Sequence, residues 1–222
     1  MRADRVPLAP ALPQHPADEA LGDLRFSALL PAAAWARLPL TIRQRFSRRL
    51  GAGATVVYVG EVLQTTMNRA GFLFAQAARL IGAPLPLERA AGLPAVVTVT
   101  EDFSGGGQIW TRLYARRAGF PQIIHSSKRF AGPTGLEEHV GAGVGMTLTL
   151  AEQDGALIFR SADYFLAWRR LRLKLPAFAT PGRFVITHAE LGDGRFLFTL
   201  ELTHPLFGTL ITQSAAFREA QP

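Results

Sequence analysis

The chain has 222 residues, 48 % of them hydrophobic, so a full core is available and global disorder is excluded. It contains no cysteine, which removes disulfides, thiolate metal ligands and cysteine nucleophiles together. Its 24 Lys and Arg against 17 Asp and Glu leave a net charge of +7, carried almost wholly by arginine; this favours acidic ligands, anionic lipid or nucleic acid at long range, and equally describes a solvated basic surface.

Residues 1–20 carry Pro7, Pro10, Pro13 and Pro16 and read as a flexible arm, with residues 21–222 as a single β-rich domain. The prolines break any apolar signal region, and no apolar run approaches the ~20 residues of a membrane helix, so a soluble cytoplasmic protein is expected. Asp23 is placed to cap a short helix through Leu30, and Pro31 to open a further turn holding Trp35 and Leu38. After Pro39, a helix over 40–49 would pair Ile42 with Phe46 on one side. Arg43, Arg45, Arg48 and Arg49 would project mostly from the other. Thr55 to Val59 is β-branched and reads as a strand. Asn68 is an N-cap candidate for a helix over 69–81 ended by Gly82, whose many apolar residues suggest burial against a sheet.

From Ala95 onward the pattern is β. Strands are expected over 95–102, 108–117, 121–131, 136–150 with interruptions and 155–168, then over 184–191, 195–203 and 209–217. Turn signals such as Asp154-Gly155 and Gly192-Asp193-Gly194 separate them. Residues 170–175 alternate cation with leucine, giving one positive and one apolar face. The fold class is α+β: a curled antiparallel sheet or partly open barrel of about eight to ten strands, with N-terminal helices packed on one face.

Three stretches, in this order, resemble an uncharacterised bacterial family, domain of unknown function 4166. They are Trp110-Thr-Arg112-Leu-Tyr114, similar to that family's W-x-R-x-F element; Leu171-Arg-Leu-Lys-Leu-Pro176; and Phe198 to Gln213 with its His204-Pro-Leu-Phe-Gly208 core. The resemblance spans roughly residues 25–218. It supports a β-rich fold and implies no established activity. In some members the domain follows a nucleotide-binding reductase-like domain, so a reductase-like partner is one expectation.

The glycine runs at 51–53 and 141–145 fail the dinucleotide spacing, and no P-loop lysine follows either, so no nucleotide cofactor is expected. No histidine pair has zinc-protease spacing, and Glu137-Glu138-His139 reads as an exposed polar strand segment, so no metal site is expected. Trp110, Arg112 and Tyr114 share one face of a strand. Pointing inward, they would hold a carboxylate or phosphate head group; pointing outward, they would form a surface ladder. Asp163 is either a buried partner for such an arginine or sits at a strand's wet end. His204, at the rim of a strand, either serves a ligand as acid, base or donor, or ties down the 204–208 turn. The basic clusters 43–49 and 169–174 lack a recognised nucleic-acid module, which disfavours nucleic acid, and leave peripheral membrane contact open.

The leading expectation is a small-molecule-binding domain with an apolar cavity for an acyl- or polyketide-like, hydrophobic or amphipathic ligand. Trp110, Arg112, Tyr114, Asp163 and His204 are its candidate contacts. The alternatives are an enzyme acting on such a ligand, using His204, Arg112 and Asp163 or Glu201, and an accessory domain that docks a reductase or a membrane surface.

Overall fold

Eleven strands use the β-branched and aromatic residues from Thr55 onward. The computed structural model describes residues 22–51, 53–169 and 171–220; the proline-rich arm lies outside the described residues. The strands are β1 (Thr55–Met67), β2 (Leu93–Asp102), β3 (Gly107–Tyr114), β4 (Gln122–Arg129), β5 (Glu137–Gly141) and β6 (Val144–Gln153). They continue with β7 (Ala156–Trp168), β8 (Leu171–Lys174), β9 (Arg183–Gly192), β10 (Arg195–His204) and β11 (Gly208–Glu219). They hydrogen-bond in the order β6-β5-β4-β3-β2-β1-β11-β10-β9-β7-β8, with a further β6–β7 pairing.

That last pairing closes a ten-stranded antiparallel barrel, so the sheet is not partly open. The cause is the length of β7. Its 13 residues give one edge to β6 and divide the other between β9, along Leu157 to Arg160, and β8, along Phe165 to Trp168. Closure leaves no long main-chain edge unpaired. Two of the connections are Asp-Gly turns with positive φ at both residues, 51° and 75° at Asp154-Gly155 and 52° and 70° at Asp193-Gly194. This is the hairpin geometry that matches strand twist. β8 stands outside the ring, and both Leu171 and Leu173 are exposed, so the cation–leucine alternation there has no buried face.

The N-terminal segment plugs one end. A 3-10 turn (Ser27–Leu29), α1 (Ala32–Arg37) and α2 (Leu40–Ser47) bring Phe26, Leu38, Ile42 and Phe46 to 2 % exposure or less. Phe46 enters the barrel, its ring centroid 5.1 Å from His188, 5.5 Å from Phe159 and 6.3 Å from Trp110. Each such buried side chain contributes roughly 1.5–3 kcal/mol. Asp23 does not cap a helix. It is buried, pairs with Arg25 at 2.7 Å and donates its backbone N–H to Ser47. Of the α2 arginines expected outside, Arg45 turns back over the Phe196 ring, 3.6 Å from its centroid, and burial lowers its pKa.

The helix α3 (Arg69–Leu80) lies at the opposite end, against β11. Asn68 caps it as expected, its Oδ1 accepting from Gly71 N at 2.7 Å, while Nδ2 donates to the carbonyls of Phe207 (3.0 Å) and Thr209 (2.9 Å). A Cβ on Gly71 would fall 2.1 Å from the Leu210 carbonyl oxygen, so only glycine allows this approach. The helix is not buried as a whole. Gly71, Ala75 and Ala78 face inward, while Leu73 and Leu80 stay 68 % and 89 % exposed. Small residues let the helix sit close, and its bulky residues are left outside.

Candidate functional site

Between the α3 end and the aromatic plug lies a cavity of about 290 Å³, an order of magnitude above the ~30 Å³ that one water occupies in the liquid. Phe74 and Ala78 of α3 and the loops 81–86 and 175–181 surround its mouth. Tyr114, Ile124, Met146, Ile186 and Leu202 form its walls. Strand alternation puts all five of these inward from β3, β4, β6, β9 and β10.

The polar part of the wall comes from β3, β4 and β5, where Arg112, Ser126 and Glu138 point inward with Lys128 behind them. Register makes this cluster: Ser126 pairs with Trp110, and Lys128 pairs with both Gln108 and Glu138. Glu138 Oε1 accepts from Ser126 Oγ at 2.6 Å and from Lys128 Nζ at 3.3 Å, while its Oε2 has no hydrogen-bond partner. Ser126 Oγ also accepts from Arg112 Nη1 at 3.3 Å. Burial alone would raise the Glu138 pKa, but the Lys128 ammonium and Arg112 guanidinium outweigh it and hold the carboxyl below its usual range. Burial lowers the Lys128 pKa against the opposing pull of Glu138. Nearby, burial pushes the Tyr164 phenol, another cavity residue, up to about 12, and it does the same to Tyr114.

Deeper in, Trp110 and His188 border a second, much smaller void, and the rings of Phe46, Phe159, Phe196 and Phe198 surround His188. Burial first, then the Arg45, Lys128 and Arg112 charges, keep His188 neutral, with its pKa well below 6.5.

Residues 38–217 match the family described as domain of unknown function (DUF4166). The chain belongs to this family. No curated protein and no solved structure matches it. The matched span holds α2, α3 and every cavity-lining residue named above.

In this DUF4166 chain the W-x-R-x-Y element faces inward, which decides the two orientations left open by its sequence. Trp110, Arg112 and Tyr114 are 5 %, 8 % and 3 % exposed, with Arg112 and Tyr114 on the cavity and Trp110 on the smaller void. Asp163 and His204 are not brought to them. Asp163 is half-exposed and pairs with Lys174 at 2.8 Å. His204 Nδ1 accepts from Leu206 N at 3.1 Å, and its ring lies 4.9 Å from that of Phe207, which ties down the 204–208 turn. Glu201 is exposed and accepts from Thr203.

Glu137 and Glu138 are 2 % and 3 % exposed, so the reading of this segment as a solvated strand was incorrect. Glu138 looks inward to Lys128 and Glu137 outward to Arg172 and His139. Among the described residues no group of three His, Cys, Asp or Glu is placed to hold a metal ion, and no helix is long and apolar enough to cross a membrane.

Proposed function

We propose that this DUF4166 domain binds a small hydrophobic or amphipathic molecule, acyl- or polyketide-like, inside the barrel. The observation that carries this reading is the cavity itself: about 290 Å³, largely apolar walls, and a few polar groups gathered at one place. Small-molecule sites have that composition, polar groups orienting a ligand whose area is buried by apolar neighbours. An interior of this size without a guest forgoes the dispersion contacts that a packed core would make. The catalytic alternative draws no support from its named residues, because Asp163, Glu201 and His204 stand outside while Arg112 stands within. Native mass spectrometry of freshly purified protein is expected to reveal a co-purifying molecule released on unfolding. Protein free of any guest that also leaves Nile red fluorescence unchanged contradicts the reading.

A second, compatible reading is favoured by the surface around the mouth. The β3–β4, β7–β8 and β10–β11 connections and the 175–181 loop all lie at that end. With the end of β7 they expose Phe120, Trp168, Phe178, Leu206 and Phe207, and the same segments carry Arg116, Arg117 and Arg169, all exposed. Apolar tips set among arginines suit an anionic lipid surface, from which the mouth would take up its guest. Sedimentation with phosphatidylglycerol vesicles but not phosphatidylcholine vesicles, weakened by Arg116→Glu/Arg117→Glu, is expected; equal binding to both, or to neither, contradicts it.

A further inference from the structure

We infer that the guest is an acid, with its carboxylate seated on Arg112 and its chain directed toward α3. This deepens the cavity-binding reading and rests on it. Three charged side chains point into this part of the barrel: Arg112, Lys128 and Glu138. Lys128 and Glu138 answer each other at 3.3 Å. Arg112 has no carboxylate within 4.0 Å among the described residues, and its sole hydrogen bond is the long one from Nη1 to Ser126. Nε and Nη2 therefore lack a protein acceptor, although the side chain is buried and lines the cavity.

A guanidinium in that position is incompletely paired, and a buried cation is costly until an anion or several acceptors complete it. The planar fork matches a carboxylate bidentately, which a hydroxyl or an amine cannot do. Its position sets the direction of the guest. Arg112 is the inward residue between Trp110, on the plugged side, and Tyr114, on the open side, so a carboxylate resting there leaves the Ile124, Met146 and Leu202 walls for the alkyl chain. The remaining ionisable groups of this interior do not compete for the role. The phenols of Tyr114 and Tyr164 stay protonated with pKa about 12, and the Glu138 carboxylate, already paired with Lys128, would draw an ammonium rather than a carboxylate, which makes an amine the informative control.

The test uses decanoate, 1-decanol and decylamine, each displacing Nile red from the full chain at pH 7.5, with wild type, Arg112→Gln and Arg112→Lys. Decanoate is expected to bind wild type at least roughly tenfold more tightly than decanol, the worth of a charge-assisted pair of hydrogen bonds. Arg112→Gln should abolish that preference without weakening decanol, and Arg112→Lys should restore part of it. Equal affinity for decanoate and decanol in wild type, or tighter binding of decylamine, overturns the carboxylate assignment while leaving the cavity reading intact. Failure of all three compounds to displace the dye overturns the cavity reading itself. If Arg112→Gln fails to fold, the wild-type ranking alone decides.

Discussion

Lys128 Nζ lies 3.3 Å from Glu138 Oε1, with both side chains no more than 3 % exposed inside a closed β-barrel. Two cross-strand partners facing the interior thus carry opposite charges where their neighbours are Trp110, Phe159 and Met146. Such a pair makes little net contribution to stability, yet either half alone is a buried uncompensated charge.

Removing one partner should therefore cost more than removing both. Lys128→Met is expected to destabilise the fold by about 3–5 kcal/mol, and Lys128→Met/Glu138→Gln by clearly less, with a coupling above about 1 kcal/mol in urea unfolding. Additive losses would mean the two charges do not depend on each other.

His188 gives the fold a pH dependence. The unfolded chain takes up a proton on this residue near pH 6.5, whereas the folded ring, buried among aromatics, stays neutral until well below that. The stability it contributes is fully present above about pH 6.5. It is lost as pH falls toward the folded value, at up to ~1.4 kcal/mol per pH unit. His139 is also lowered, by burial and by Arg129, and adds to the same acid limb. Unfolding free energy should fall by about 1–2 kcal/mol or more from pH 7 to pH 5. His188→Phe should flatten the slope by about one proton; an unchanged slope would show that His188 titrates alike in both states.

The seating of α3 depends on two residues. Gly71→Ala puts a methyl into the Leu210 carbonyl and should push the helix off β11 at a cost of about 1–3 kcal/mol. Asn68→Ala removes the cap and both links to the β10–β11 turn and should cost about 1–2 kcal/mol. Both variants should also release Nile red faster in stopped-flow measurements, because α3 covers the mouth. Release at the wild-type rate despite lost stability would separate the helix from access to the cavity.

At the plugged end, Phe46→Ala removes a fully buried ring packed on Phe26, Trp110, Phe159 and His188. Thermal or denaturant unfolding should report a loss of about 3–5 kcal/mol. A loss below about 1 kcal/mol would mean that the N-terminal helices are an accessory to the barrel rather than its end wall.

Local features of this fold could be read directly from residues. The Asp-Gly turns, the Asn68 cap and the alternation of Phe196, Phe198, Leu200 and Leu202 each carry their cause within a few positions. Closure could not be read in this way, because it depends on β1 meeting β11 and on β7 reaching past β8 to β9, pairings between strands that lie apart in the chain. The site was half legible. The spacing of Trp110, Arg112 and Tyr114 put them on one face, but choosing which face needed β2 and β4 on either side. Glu138 is placed on the wrong face by its sequence, and Lys128 and Ser126 do not stand out in it, because charged and polar residues in a strand ordinarily mark its wet face. Only the pairing of Lys128 with Glu138 makes the interior tolerable for either. His188 had a usable signal, lying two residues from the buried Ile186 on the same face of β9.

The most direct test of a ligand-binding interior is Nile red titration of wild type against Ala78→Phe. Ala78 faces the cavity from α3, outside the barrel wall, so a phenylalanine there fills the space without disturbing a strand. The account predicts saturable one-to-one binding to wild type, loss of that binding by tenfold or more in the variant, and an unchanged or raised melting temperature. Equal dye binding by both folded proteins would contradict it.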